Sequence, residues 1–425
     1  GFKHFWELNR DDPVATLNRI TGYMEYQKPI EIQKFPYKGK LVHFSGRNYD
    51  LETTPNHRLY CGFKTYLCKR GYIYRFIEAE RVAAKSQGTR SSYLLNRQLR
   101  WEGENKEFIT IPRASHIYPK AIHRPRNIEA IPTDLWMKFM GWYISEGSIL
   151  WQGKNKYKIE IPQKKVGYLA EIKETIEAIG FKTHIAQYSN CQGVEFWSKQ
   201  ICEYLKPLGK AKQKHIPPEL KQLSSKHLKT LLLTLCKGDG TYKNGEPRFY
   251  YTISKRLADD VLEIAFKSGY VATITKTKDY HNGTDLYRVN IQNHHSKIHL
   301  SGKIEEVDYD DYVYCVSVPN ELIFVERKGK PVWCGNSTFL NMTQARFGAT
   351  PFASLSAQIP YEKEYNPAWR SYTFTDQVFR AYRDMFCNLL DLVPATAQTW
   401  NCTEGGALYH PKLKYATLRE WLQNA

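Results

Sequence analysis

The apolar residues change their period along the chain, and the change divides it. Through residue 62 they fall in short runs separated by turn residues, as in Leu41-Val42-His43-Phe44 and Leu51-Glu52-Thr53-Thr54, which predicts strands. From residue 133 the spacing becomes helical. The stretch 135–143 predicts an apolar helix, opened by Thr133 or Asp134 as its cap and closed by Glu146-Gly147. A second apolar helix, over 225–236, closes on Gly238-Asp239-Gly240. After the first come a strand over 157–161, Gln163, and a helix over 168–179 that stops at Gly180. After the second come a strand over 248–253, Ser254-Lys255, and a helix over 257–267 that stops at Gly269. The acidic residue precedes the closing glycine by 34 positions in one case and 30 in the other, so one helix–sheet–helix unit is duplicated. Strand character returns over 306–336, with runs at 312–318 and 322–325 and a turn at Gly329-Lys330-Pro331. The pattern predicts a β-rich unit split by a duplicated α/β insert.

Composition adds partners and compartment. The 425 residues exceed one ordinary domain, and 42% hydrophobic content supplies more than one core. No apolar run approaches the roughly 18 residues of a membrane span, and no signal-peptide pattern opens the sequence. Nine cysteines without a CxxC pair predict neither a disulfide framework nor a zinc site, and point to a reducing cytoplasm. The formal charge of +18 is unevenly spread: residues 337–425 carry 8 Lys+Arg against 7 Asp+Glu, which leaves +17 for residues 1–336. That much positive charge implies a polyanionic partner, nucleic acid first, with a merely basic soluble surface as the bland reading.

A helix that ends in an acidic residue and a glycine, present twice in a duplicated unit, predicts two carboxylates meeting on a pseudo-two-fold axis. Gly141 and Thr234 are small enough to let the helices approach, so that Glu146 and Asp239 emerge side by side. Hard oxygen ligands of this kind hold Mg²⁺ for phosphodiester cleavage. The two nine-residue stretches, Phe139-Met140-Gly141-Trp142-Tyr143-Ile144-Ser145-Glu146-Gly147 and Leu232-Leu233-Thr234-Leu235-Cys236-Lys237-Gly238-Asp239-Gly240, resemble the motif of the LAGLIDADG homing endonucleases. The resemblance implies two αββαββα-like repeats whose saddle-shaped sheets lie in the major groove of double-stranded DNA. It also implies Mg²⁺ held by Glu146 and Asp239, and roles near the cleaved phosphates for Gln163 and Lys255. DNA contacts fall to Lys164, Lys165 and Lys214, the last matching a lysine that commonly precedes the second motif.

The flanking β segments carry a second constellation. Thr54-Pro55-Asn56-His57 is weak alone, but the far end reads Pro331-Val332-Trp333-Cys334-Gly335-Asn336-Ser337. An asparagine amide can attack its own carbonyl and break the chain, and the following serine hydroxyl can accept an upstream acyl group. Together these pieces resemble an intein, a self-splicing element with an all-β, horseshoe-shaped Hint-type domain. The resemblance assigns splicing roles to Thr54, His57, Cys315, Asn336 and Ser337, with Thr54 and His57 polarising the upstream scissile peptide. Cys315 stands where an aspartate is usual, Leu322 where a histidine is usual, and Gly335 where a penultimate histidine is usual. The usual first Cys or Ser, about ten residues before a segment like Gly1-Phe2-Lys3-His4-Phe5, is not in the sequence, which therefore reads as starting inside the intein. An intein class that uses a cysteine at the position of Cys315 expects a tryptophan near Leu59 and a threonine near Cys334, and fits less well.

The expected organisation is a splicing domain over 1–125 and 306–336, an endonuclease over 126–305, and a host fragment, the C-extein, over 337–425. In that α/β fragment, helices are predicted over 379–390 and 418–422. Asn401-Cys402-Thr403-Glu404-Gly405-Gly406-Ala407 resembles the end of MptE-like proteins. The expected partners are intein-free DNA and the chain's own exteins, for a monomer in the cytoplasm of a microbial or phage-infected cell. A DNA-binding protein with an inactive nuclease, and a Hint-type domain that cleaves without ligating, are the alternatives.

Overall fold

The computed structural model describes residues 1–64, 72–86, 93–114, 127–152, 156–278, 283–293, 298–300, 302–335, 362–368, 371–375, 377–394, 397–402 and 408–424. Asn336, Ser337, Gly405 and Gly406 lie outside them. The chain is a multidomain, mixed α/β protein with two contact units, Gly1–Ser337 and Thr338–Ala425. No helix among the described residues is long and apolar enough to cross a membrane.

Beside two short helices, α1 (Ala79–Ser86) and α4 (Lys199–Leu205), the long helices α2 (Thr133–Glu146) and α5 (Ser225–Asp239) pack along each other in the first unit. In α2 the apolar residues run all round the helix, and Trp136, Met137, Phe139, Met140, Trp142 and Tyr143 are all buried, as expected of a helix enclosed by protein. In α5 the buried set Leu228, Leu231, Leu232 and Leu235 forms one stripe. The close approach rests on small residues. A Cβ on Gly141 would lie 2.6 Å from Thr234 Cβ, and one on Gly238 would lie 2.6 Å from Ser145 Cβ. Replacing Gly141 with Val is therefore expected to lower stability by about 1–3 kcal/mol, read by urea denaturation. An unchanged midpoint would mean the helices can part at no cost. The expected cap at Thr133 or Asp134 is not formed. The Thr133 hydroxyl donates to the Lys106 carbonyl oxygen at 2.6 Å, and Asp134 pairs across the helices with His227 Nδ1 at 2.7 Å.

Each helix feeds a four-stranded antiparallel sheet. The spatial order in the first is Ser148–Gln152, Lys156–Gln163, Gln192–Trp197, His184–Gln187. In the second it is Gly240–Lys243, Glu246–Thr252, Asp285–Gln292, Val271–Lys278. Both follow the chain-order pattern 1-2-4-3, and a helix bridges the second and third strands: α3 (Val166–Ile179) or α6 (Lys255–Lys267). The duplication read from the sequence is thus a duplication of topology. Gly180 and Gly269, at φ of 108° and 86°, supply the left-handed turns that end the bridging helices.

Strands from either side of this repeat pair with one another. Glu31–Ser45 runs antiparallel to Lys303–Ser317 along its whole length, and Val14–Leu17 joins Leu322–Arg327 and Lys330–Gly335 in a four-stranded sheet. Arg58–Phe63 is flanked by Ile73–Glu78 and Leu94–Leu95, and Ile298–His299 extends the sheet. One buried cluster accordingly mixes Val42, Phe44, Leu59 and Cys61 with Ile298, Leu300, Val332 and Cys334. Lys303–Ser317 is continuous through residues 305 and 306. The last hairpin turns at Lys328 and Gly329, at φ of 51° and 76°, so Lys330 and Pro331 belong to the returning strand rather than to the turn.

In the second unit Glu362–Asn366 and Ser371–Thr375 form a hairpin, and Thr399–Asn401 pairs in parallel with Leu413–Tyr415. Helices span Gln377–Leu392 and Leu418–Asn424.

Candidate functional site

The helix pair delivers two carboxylates to one place. Glu146 ends α2 and Asp239 ends α5, so each sits at the negative end of a helix dipole. A Cβ on Gly238 would lie 3.6 Å from Glu146 Cγ, which sets how near the two helix ends come. Burial, and then the charge of Glu146, push the Asp239 carboxyl up to about 7; burial raises Glu146 too, against the pull of Lys214, Lys164 and Lys165. Beneath them Tyr250 is fully buried, its hydroxyl raised by burial and by the charge of Asp239.

Lys214 is the third member. Its ammonium donates to the carbonyl oxygens of Tyr143 at 2.9 Å and Gly147 at 2.7 Å, and the residue is 7% exposed. Burial lowers its pKa to about 8, while Asp239 and Glu146 hold it up. The lysine expected to reach a DNA phosphate is thus turned inward in this structure, satisfying the end of α2 and facing both acids. Lys164 and Lys165 are exposed. Gln163 is buried at the end of its strand, with Oε1 accepting from the Lys165 amide at 3.1 Å. Lys255 opens α6 and pairs with Asp259 at 2.5 Å. Thr252, whose hydroxyl accepts from the Ser254 amide at 3.1 Å, is the topological counterpart of Gln163 in the second repeat.

The sheet faces turned away from the helices are polar and aromatic. On the first, Lys158 donates to Glu195 at 2.7 Å beside Glu160 and the exposed Trp197. On the second, Tyr251 and Thr275 flank Arg288 in register, and the Arg288 guanidinium lies 5.5 Å from the Phe249 ring centre.

The second constellation is brought together from the two ends of the split β unit. His57 follows a tight turn in which its amide donates to the Thr54 carbonyl oxygen at 3.0 Å, and its Nε2 lies 3.1 Å from Cys334 Sγ. Burial, and then Arg58, lower the His57 pKa to about 4, so the imidazole is neutral at physiological pH. Burial, and then Cys315, raise the Cys334 thiol to about 12. Cys315 lies near the end of its long strand, opposite Gln33. The partner of His57 was not foreseen, because a cysteine in a strand reads as a small apolar residue. Leu322 is buried and pairs with Gly335. A Cβ on Gly335 would collide with the Arg58 carbonyl oxygen and sit 3.0 Å from the Phe76 ring, so a histidine has no room there. Gly335→Ala is expected to cost about 1–3 kcal/mol in urea denaturation, and a neutral result would mean this contact is slack.

No family model matches the chain. The DNA-directed RNA polymerase subunit beta C-terminal section of Stigeoclonium helveticum is 27% identical over 388 residues, which cover 76% of this chain and 34% of that protein. The ATP-dependent Clp protease proteolytic subunit of Chlamydomonas moewusii is 27% identical over 281 residues, covering 63% of this chain and 26% of that one. The chain therefore spans about a third or less of the curated relatives it matches. Among solved structures, the homing endonuclease I-DmoI in complex with DNA and Mn is 16% identical, with 38% of this chain and 90% of that chain covered at a TM-score of 0.30. The homing endonuclease I-WcaI bound to its DNA recognition sequence is 9% identical, with 37% and 76% covered at a TM-score of 0.27.

Proposed function

We propose that residues 1–336 are a self-splicing insert with an embedded DNA-cleaving homing endonuclease, and that residues 337–425 are a piece of its host. The observation that carries this reading is a topological duplication, with a carboxylate at each matched helix end, set between strands that pair with each other. Two further facts support it. The relatives bear names of different machines, a polymerase subunit and a protease subunit, and the matched stretch is a minority of each, as expected of one element lodged in different hosts. The break between contact units also falls beside the Asn336-Ser337 junction.

The donor set at the helix ends fits a hard divalent cation. It offers carboxylate oxygens only, their charges crowded at two negative dipole ends. Mg²⁺ held by Glu146 and Asp239 would supply an activated water and stabilise the leaving oxygen of a DNA phosphodiester. Lys214 keeps a positive charge beside both acids. Lys164 and Lys165 contact phosphates, and the outer sheet faces read the groove. At the junction, the Asn336 side-chain nitrogen attacks its own backbone carbonyl carbon, forming a succinimide and expelling the amine of Ser337. Ser337 Oγ accepts the upstream acyl group, and neutral His57 with Thr54 acts on the upstream peptide.

The nuclease half is tested on a plasmid carrying the host reading frame without the insert. Linearisation in Mg²⁺ and none in EDTA is expected. A parent chain that binds this DNA but never cuts it would leave a DNA-binding protein.

A further inference from the structure

Arg97 is 2% exposed and lies at the seam between the split β unit and the α/β repeat. One of its terminal nitrogens donates to the Ala272 carbonyl oxygen, its guanidinium lies 5.3 Å from the Phe266 ring centre, and its Nε has no hydrogen-bond partner among the described residues. Burial lowers its pKa to about 10, and among the described residues no carboxylate pairs with it. A buried guanidinium without a carboxylate is costly, and a carbonyl and a ring offset only part of that cost. Among the other buried cations of this unit, Lys221 meets Asp260 and Glu263, Lys267 meets Glu263, and Lys214 sits on two carbonyls within the field of Asp239 and Glu146.

Two clefts open on Arg97. The larger, of about 600 Å³, is bordered by Arg100, Arg19, Asn96, Gln98 and Gln292; the smaller, of about 350 Å³, is bordered by Arg47 and His299. No described Asp or Glu lines either one. Arg19 is partly spent on Glu321, at 2.8 Å, whereas Arg100 is exposed at the mouth. The arrangement is a concave surface with a buried cation at its floor, an exposed one at its rim and amide side chains between. An anion with several acceptor oxygens would meet donors on more than one side there.

We infer that the larger cleft is a phosphate-binding site, with Arg97 at its floor and Arg100 at its rim. The phosphate comes either from the backbone of a DNA duplex, which would extend the DNA footprint onto the β unit, or from a free phosphate ion. The free-ion measurement does not depend on the nuclease reading, so a chain that cuts no DNA still tests this site.

The test uses the full chain in Mg²⁺-free buffer at fixed ionic strength, titrated calorimetrically with inorganic phosphate. Saturable binding is expected, weakened about tenfold by Arg100→Ala, the effect of losing one charge-assisted contact. Arg97→Met is expected to abolish binding if it folds; Arg100 is exposed, so its variant keeps the test decisive if Arg97→Met does not. Competition by duplex, together with a salt slope of duplex binding reduced by about 0.9 in Arg100→Ala, assigns the site to the DNA backbone. Phosphate binding unaffected by duplex assigns it to the free ion. No saturable binding, or equal affinity in parent and Arg100→Ala, overturns the proposal.

Discussion

Asp239→Asn is expected to unfold at a higher urea concentration than the parent in EDTA at pH 8, while its Mg²⁺-dependent DNA cleavage falls at least about a thousandfold. The stability half follows from the crowding at the helix ends. The Asp239 carboxyl titrates near 7 in the folded chain against 3.8 ordinarily, because burial and the neighbouring Glu146 disfavour its charge. A carboxyl whose folded pKa is raised favours the folded state in its protonated form. That contribution is whole below about pH 4 and is lost as pH rises through 7. At pH 8 the folded chain holds the charge at a cost on the order of 4 kcal/mol, which the neutral, isosteric Asn removes. At pH 4 the two proteins are expected to unfold alike. The activity half follows from losing one of two oxygen ligands in a reaction where the bound cation supplies several kcal/mol. Paired urea curves at both pH values, beside a plasmid assay, read the two halves separately. A variant less stable than the parent at pH 8 would mean that Asp239 is a structural anion, and one that still cuts would remove it from the chemistry.

Asn336→Ala is expected to abolish release of the fragment that begins at Ser337. On the proposed route this release needs no upstream nucleophile, since the Asn336 amide nitrogen would itself be the attacking group. Removing the nucleophile of such a step costs on the order of 10³-fold or more. The parent reaction is expected to be slow. Gly335 is hemmed in by the Arg58 carbonyl oxygen and Phe76, and Leu322 is packed into the core, so neither usual histidine position offers a proton carrier. Mass spectrometry over a time course decides the matter: the same fragment released from Asn336→Ala would sink the succinimide route.

The elements that carry the site were legible for a simple reason. The runs that became α2 and α5 are apolar at helical spacing and end in Glu-Gly and Asp-Gly, so both the helices and the direction of their carboxylates follow from local pattern. The matched strand order of the two sheets was foreshadowed only by the repeat of parts, because pairing order is a tertiary property. Individual polar residues were least legible. Lys214 precedes a His-Ile-Pro stretch and reads as an outward cation, yet packing turns it onto two backbone carbonyls. Arg97 stands in the polar run 96–98, where nothing in the pattern marks it as buried, yet it packs against Ala272 and Phe266. Thr133 reads as a helix cap and spends its hydroxyl on Lys106 instead. In each case burial, which no single-sequence pattern reports for a polar residue, decided the role.

The hairpin turn at Lys328 and Gly329 leans on the α/β repeat: the Ile274 amide donates to the Gly329 carbonyl oxygen at 2.8 Å, and a side chain on Gly329 would strike the Ile274 backbone. The strand that leads to the junction therefore takes its footing from the inserted unit. Without the repeat, the same hairpin would be left with an unsupported tip and a bare strand-side carbonyl, so the β unit's last strand is expected to fray there first.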